Sequence, residues 1–444
     1  MKFKELFNED WSVNWEKINE IPQFGKMFST KQSTIWHREG NAYLHTILVT
    51  QQMEKLLEIS HMEKGTYEWI MCMSAALCHD LGKVETTKWS NEKNDYTAKN
   101  HSIIGERITR ELFCDEDIIL RELVCYMVRH HMTLHHILDE NKEVVDKKLI
   151  KMSHGIVPLR YMLYLNKSDA LGSVNEETDS FIETKCNKIL SKCAALDCFD
   201  MPYSIKDKSQ LIRSFIGYNG EVINEGNDFC VYILCGFPGC GKSTYYEKYL
   251  KKHPIISRDI IRGELGIGGA TVENGKKVVG TKEEEQNVSE VFNTKMISYC
   301  EKKTSFVLDN TNLKYQYRKD YLTKIMKYNP KIKIIYVEAP DFINDCINRR
   351  DGQIDKSVYD RMKSTFDFPQ LYECDNLVIY KQYKDKDDEE IEFKSNFCPQ
   401  NIKDRKKFTR DLSILKGKII MDGYNNNDQF IKYVDNLIEK YKDI

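Results

Sequence analysis

Between about residues 42 and 195 the apolar positions recur at i, i+3, i+4 and i+7 with little strict alternation, which predicts helices nearly throughout. One stripe joins His45 to Leu48, Val49, Met53 and Leu56, and a second joins His101 to Ile104, Ile108 and Leu112. A third runs through Leu120, Val124 and Met127 into His131, and a fourth through Pro158, Met162 and Leu165 into Asp169. The apolar run Met71 to Cys78 ends in the doublet His79-Asp80. After a polar, glycine-bearing stretch from Ser204 to Asn227, short apolar runs take over: VYILC (231–235), HPIIS (253–257), SFVLD (305–309), KIIYVEA (333–339) and NLVIY (376–380). Helical segments separate them, such as Asn287 to Cys300 with Val288, Val291, Phe292, Met296 and Tyr299 on one face. Strands alternating with helices predict a mostly parallel sheet covered by helices.

A chain of 444 residues exceeds one ordinary core. The expected fold is therefore multidomain: an all-α domain over 1–203, a junction over 204–228, an α/β domain over 229–384 and a short C-terminal extension over 385–444. The extension opens on an acidic cluster (Asp385, Asp387, Asp388, Glu389, Glu390), read as a solvated linker or exposed turn, and ends in a helical pattern near Gln429 to Tyr441. No chemistry follows from it.

Charge narrows the picture only a little. Lys plus Arg number 66 against 68 for Asp plus Glu, so no global basic field advertises a polyanion, and any such partner must meet a local patch. The 14 cysteines form no CxxC pair, which suits a reducing, cytoplasmic setting. The opening MKFKELFNEDW lacks the apolar region of a signal peptide, and no apolar stretch reaches membrane-spanning length, so no membrane role is expected.

GFPGCGKST, from Gly236, follows the strand VYILC and precedes a helical stretch, and it fits GxxxxGK[ST]. Gly236, Gly239 and Gly241 let the backbone bend so that N–H groups face phosphate oxygens, Lys242 bridges the β- and γ-phosphates of a bound NTP, and Ser243, followed by Thr244, ligates Mg²⁺. HPIISRDIIR ends its strand near Asp259, with Arg262 three residues on; the carboxylate fits either a proton acceptor at the ligand crevice or a cap on the next helix. SFVLDNTN offers Asp309 for the outer shell of the Mg²⁺ ion. INRRDGQ carries Arg349 and Arg350, either of which suits a phosphate-neutralising lid or a solvated surface.

Together these strings resemble the 5′-hydroxyl polynucleotide kinases of bacteriophage and bacterial RNA repair, over roughly residues 229 to 382. The resemblance implies that Lys242 and Ser243 bind the NTP phosphates and metal, that Asp259 is the general base for the 5′-OH, and that Arg262 holds the acceptor's 3′-phosphate. A lid arginine should touch the donor phosphates, but Asp351 in RRDG breaks the expected spacing and leaves Arg349 and Arg350 undecided.

In the first block, four inward stripes that carry imidazoles or carboxylates, plus the doublet, suggest a metal, because a cation neutralises buried acids and accepts ring nitrogens. The order His45, His79-Asp80, His101, His131, Asp169 resembles the HD phosphohydrolase superfamily, whose all-α fold holds one or two divalent metals. That resemblance implies a catalytic Asp80 and a phosphate contact at Lys83, which reads equally as a solvated lysine. The adjacent His130, and the pair His135-His136, leave open which imidazole completes the set. KQSTIWHREGNAYLHT (31–46) looks like the entry segment of bacterial proteins that fuse an HD phosphohydrolase to a polynucleotide kinase, with His37 and Glu39 as substrate contacts or as an ordinary loop.

The resemblance implies a bifunctional RNA end-healing enzyme. It would phosphorylate 5′-OH ends of RNA or DNA from ATP or another NTP, with Mg²⁺ at the kinase site, and remove 2′-, 3′- or 2′,3′-cyclic phosphates with divalent transition metals. An RNA ligase acting downstream is the expected partner. Two rivals stay open: a small-molecule nucleotidase joined to a nucleoside or sugar kinase, and a non-catalytic nucleotide-sensing switch.

Overall fold

The computed structural model describes residues 1–394 apart from 136, 206, 224–225, 227, 268–271, 274–275, 278–280, 351–352 and 384–385. The Gln429–Tyr441 pattern lies outside the described residues, as do His136 and Asp351. The described chain divides into two compact units, Met1–Ser204 and a second that begins at Ile205.

The first unit is built from helices Ala42–Ile59, Tyr67–Cys78, His101–Leu112, Ile118–His130 and Leu159–Gly172. Polar side chains start three of them: Asn41 accepts from Leu44 N–H, Thr66 from Trp69 N–H and Asp117 from Leu120 N–H. The Ala42–Ile59 helix buries His45, Val49, Met53 and Leu57 at four-residue steps, while the expected Leu48 and Leu56 stand at the edge of the core. Its approach to the Leu159–Gly172 helix is close enough that a Cβ on Gly172 would lie 2.7 Å from the Val49 backbone nitrogen. Thus His45 and Asp169 are brought onto facing helices.

Two local features depart from the sequence expectation, one a hairpin and the other the buried face of a helix. Thr87–Ser90 and Asp95–Ala98 pair as an antiparallel hairpin, rich in Thr, Trp and Tyr and turned through Asn94 at φ +48°. The His101–Leu112 helix buries Gly105, Ile108 and Thr109 together with charged Glu106 and Arg110, rather than the Ile104 and Leu112 of the predicted stripe. Arg110 pairs with Glu122 on the neighbouring helix, and Arg129 with Glu106 at 2.7 Å, so these buried charges are neutralised in place.

The second unit carries a six-stranded sheet in the order Glu389–Lys394, Asn376–Lys381, Lys331–Glu338, Cys230–Cys235, Phe306–Asp309, Ile255–Ser257. All neighbours are parallel except the first pair. The acidic stretch is therefore only partly a linker: Glu389 and Glu390 open an antiparallel edge strand, where their charge blunts the exposed edge. The junction contributes as well, since Lys208–Ile216 forms a helix that buries Leu211, Ile212 and Ile216 and ends on Gly217 at φ +74°. Leu234, Asp309 and Ser257 lie in one register, so the carboxyl ends of three parallel strands open at the same level. The Lys282–Glu301 helix starts in a Thr281–Glu284 capping box and buries Val288, Phe292, Met296 and Cys300; Val291 and Tyr299 sit at its margin. No helix among the described residues is long and apolar enough to cross a membrane, and the 13 described cysteines are free thiols.

Candidate functional site

In the first unit, the helix that ends at Cys78 hands over to His79 at φ −55° and ψ −37°, and the turn that follows carries Asp80 to the centre of the cluster. His45 Nε2 lies 3.0 Å from Asp169 Oδ1 and 3.3 Å from His79 Nε2. His101 Nε2 lies 3.0 Å from His131 Nε2. Asp80 stands between the two groups: Oδ2 is 3.3 Å from His79 and 3.6 Å from His45, and Oδ1 is 3.4 Å from His101 and 3.8 Å from His131. All six side chains are buried.

Whether these residues suit a cation can be judged from their hydrogens. The Nδ1 atoms of His79, His101 and His131 each donate to a main-chain carbonyl three residues upstream (Ala76, Ala98, Val128) at 2.7–2.8 Å. A carbonyl can only accept, so each neutral ring carries its proton on Nδ1 and turns an Nε2 lone pair inward. Two such lone pairs facing each other across 3.0 Å repel unless something positive lies between them. Both Asp80 oxygens, moreover, are buried without an aligned hydrogen bond, although Lys83 Nζ approaches Oδ2 to 2.6 Å. The donors group as His45/His79/Asp169 and Asp80/His101/His131, a set that fits one or two divalent cations with Asp80 shared.

Burial and neighbouring imidazoles depress His131 far below its ordinary value, and burial also lowers His101. Burial lowers His45 too, but its contacts with Asp169 and Glu39 override that and raise it to about 9. Burial opposes ionisation of Asp80 and Asp169, yet Lys83 and His79 at the first, and His135 at the second, hold both well below the carboxylate range.

Several residues outside the six take definite places. His131 enters the cluster, whereas His130 turns its ring onto Tyr126 at 4.5 Å. His135 Nε2 reaches Asp169 Oδ2 at 2.8 Å. Lys83 is buried against Asp80 and Gln32, not solvated. Glu39, expected as a substrate contact or an ordinary loop residue, has a side chain that is 4% exposed, with Oε1 2.9 Å from both His37 Nδ1 and His45 Nδ1. It therefore sets a negative charge beside the outer nitrogen of His45, which makes no aligned hydrogen bond. His37 stays half-buried beside a cleft of about 320 Å³ whose lining includes Asp80, Lys83, His101, His135 and Asp169.

In the second unit the glycine loop follows strand Cys230–Cys235, with Gly236, Gly239 and Gly241 at φ +155°, +83° and +109°. A Cβ at Gly236 would lie 2.6 Å from Val337 O, and one at Gly241 2.6 Å from Gln382 Oε1. Lys242 begins a helix and donates back to Gly236 O at 2.9 Å and Phe237 O at 3.1 Å; Ser243 and Thr244 are exposed on its first turn. Burial raises the Asp309 carboxyl, Lys242 pulls it down and Asp259 raises it further, so the three share one electrostatic neighbourhood.

Asp259 is neither the strand end nor the helix cap. The strand stops at Ser257, which is the N-cap residue, and Asp259 is the second residue of helix Arg258–Glu264, with its side chain 82% exposed. Arg262 donates to Asp259 at 2.7 Å and forks onto Glu285 at 2.7 and 2.9 Å, while Arg258 reaches Glu285 at 2.9 Å. Glu285, unmarked in the sequence reading, thus orients both arginines. Arg349 sends Nη1 to Cys240 O at 3.5 Å and Gln382 Oε1 at 3.3 Å; the stem of Arg350 lies along Gly239. Of the two arginines, only Arg349 makes a hydrogen bond to the loop among the described contacts.

Residues 43–155 match the family model of the HD domain, and residues 231–369 match that of an AAA domain. The chain is 26% identical over 203 residues to the multifunctional CCA protein of Actinobacillus pleuropneumoniae serotype 5b, covering 43% of this chain and 47% of that protein. The multifunctional CCA protein of Psychromonas ingrahamii is 28% identical over 120 residues, covering 26% of this chain and 25% of that one. The chain thus spans under half the length of these curated relatives. Among solved structures, the AvrRxo1-ORF1:AvrRxo1-ORF2 complex with sulphate ions aligns at 14% identity and TM-score 0.27, over 65% of this chain and 92% of that one. A helical HD domain is followed by a P-loop, kinase-like domain with a mostly parallel sheet.

Proposed function

We propose that this chain, an HD domain followed by a P-loop kinase-like domain, is a bifunctional enzyme that heals RNA ends: it transfers the γ-phosphoryl of an NTP to a 5′-OH and hydrolyses 2′,3′-cyclic, 2′- or 3′-phosphates. The observation that carries the reading is one chain holding both a His/Asp cluster around Asp80 and a glycine loop that leads into Lys242 from the strand beside the one ending in Asp309.

In the kinase half the loop N–H groups and Lys242 hold the NTP phosphates, with Ser243 and Asp309 toward Mg²⁺. Asp259 takes the proton of the ribose 5′-OH as that oxygen bonds to the γ-phosphorus and the NDP oxygen departs; the exposed carboxylate is open to an incoming strand end. Arg262 holds the acceptor's phosphate, kept in place by Glu285. Arg349 neutralises donor charge beside the loop, and Arg350 flanks it.

In the HD half, His45, His79, Asp80, His101, His131 and Asp169 hold one or two divalent cations. When bound, these supply water activation and a clamp on the phosphate oxygens. Lys83, buried beside Asp80 on the cleft, adds a positive charge for the substrate phosphate, and Glu39 sets a negative charge beside the His45 ring. The products, a 5′-phosphate and a free 3′-OH, are what an RNA ligase acting downstream consumes.

A nucleotidase fused to a nucleoside kinase is the second reading, favoured by a net charge of −2 rather than a basic surface. Offering a 5′-OH oligonucleotide and a free nucleoside together with γ-labelled ATP separates them. Label on the oligonucleotide is the expected result; label on the nucleoside alone would overturn the RNA reading.

A further inference from the structure

Two aromatic side chains at the HD cleft have no part in the chemistry so far assigned. Trp36 lines it from the loop before the Ala42–Ile59 helix and is 55% exposed, so part of its ring faces the solvent of the cleft. Tyr96 lines it from the hairpin, braced edge-on by Trp89 at 5.1 Å. Lys31 Nζ sits over the Tyr96 ring at 5.6 Å.

The backbone segments that carry the two rings are tied together. Buried Asp95, next to Tyr96, accepts from Thr34 N–H at 2.9 Å and from the Ser33 hydroxyl, and Ser33 Oγ in turn accepts from Trp36 N–H at 3.2 Å. The same Asp95 accepts from Tyr96 N–H at 2.8 Å. One carboxylate therefore pins the Trp36 loop to the strand that carries Tyr96. Such a pin holds the loop and the strand together before a ligand arrives, which lowers the ordering cost of binding there.

We propose that Trp36 and Tyr96 form a nucleobase-binding subsite of the HD cleft, stacking the base of the nucleotide whose phosphate lies on the His/Asp cluster. The inference rests on the phosphohydrolase reading above and deepens it by assigning a site for the base, so that a base-bearing phosphate ester is preferred to a bare sugar or polyol phosphate. The chemistry fits in three respects. Asp80, His101 and Asp169 share the cleft with both rings, and its volume of about 320 Å³ suits one nucleotide. Stacking on an aromatic face tolerates any base, as an end-processing enzyme requires. Lys31, beside Tyr96, supplies positive charge for the backbone of a longer strand.

The test compares phosphate release from a nucleoside 3′-phosphate and from glycerol 2-phosphate, which presents a secondary phosphomonoester without a base. The full chain is used with Mn²⁺ and no NTP. Trp36→Ala should lower the ratio of the two kcat/KM values about tenfold, mostly through KM for the nucleotide, as expected for loss of one stacking face. Trp36→Phe, which keeps an aromatic face, should restore most of the ratio. An unchanged ratio in Trp36→Ala, including equal losses on both substrates, would overturn the subsite while leaving the phosphohydrolase in place. Release from neither substrate by the unaltered chain would instead overturn the phosphohydrolase reading, and the subsite with it.

Discussion

Gly82 follows the His79-Asp80 turn, and a Cβ there would lie 1.9 Å from His101 O and 2.5 Å from Gly105 N. Gly82→Ala must therefore push the turn and the His101–Leu112 helix apart by at least about 1 Å before the contact becomes tolerable. The struck atom belongs to His101 itself, whose Nε2 lies 3.0 Å from His131 and 3.4 Å from Asp80. A metal site tolerates ligand errors of only about 0.2 Å, so such a shift takes one imidazole out of range. Overpacking of this kind costs about 1–3 kcal/mol, which for a unit of this size lowers Tm by roughly 4–8 °C at the middle of that range. Calorimetric Mn²⁺ titration of chelator-treated protein should show affinity reduced at least about tenfold. Phosphoryl transfer by the P-loop domain should persist. Unchanged Mn²⁺ affinity with unchanged Tm would refute the claim that the bare glycine sets the spacing of the cluster.

Three further substitutions probe other parts of the account. Glu39→Gln removes the carboxylate beside His45 Nδ1 and should weaken metal binding about 10–100-fold with little change in fold, measured by the same titration; unaltered affinity would return Glu39 to a substrate or loop role. Gly241→Ala forces a side chain into φ +109° and against Gln382, and should abolish NTP binding in an equilibrium dialysis assay while leaving phosphate release intact. Glu285, held at about 2 chiefly by its hydrogen bonds with Arg262, has a folded pKa below its unfolded one, so its stabilising contribution is complete above about pH 4.5 and is lost as pH falls toward 2. Chemical denaturation of Glu285→Gln against the unaltered chain should therefore show a stability gap at pH 6 that narrows below about pH 4.5 and closes toward pH 2; a gap independent of pH would contradict the assignment.

The central positions of the HD cluster were readable because helical periodicity and residue type coincide there. His45 on the face of Val49 and Met53, and Asp169 on that of Met162 and Leu165, had to point into one core. The glycine loop was readable for a similar reason, its residue types being tied to backbone conformations. Other features were hidden because they depend on long-range packing. Glu39 lies in a polar string whose sequence cannot reveal that its carboxylate turns inward to His45. Glu285 sits among Glu283 and Glu284 in a run resembling any solvated helix start, and only the fold brings it to Arg258 and Arg262. Ile104 and Leu112 fit the apolar period, but charge pairing at Arg110 with Glu122 decided which face of their helix was buried. Asp259 lies in a helix and not at a strand end because the strand stops at Ser257, the last residue of HPIIS, and the helix begins at once with Arg258.

The most direct measurement uses one RNA with a 5′-OH and a 2′,3′-cyclic phosphate end, assayed with γ-labelled ATP for gain of a 5′-phosphate and loss of the terminal phosphate. It is run on the unaltered chain and on purified, folded Asp80→Ala and Asp259→Ala. The account predicts both activities in the first, only 5′-phosphorylation in Asp80→Ala, and only removal of the 3′-end phosphate in Asp259→Ala. Loss of both activities from either single substitution, or neither end altered by the unaltered chain, would contradict two separate sites for RNA end chemistry.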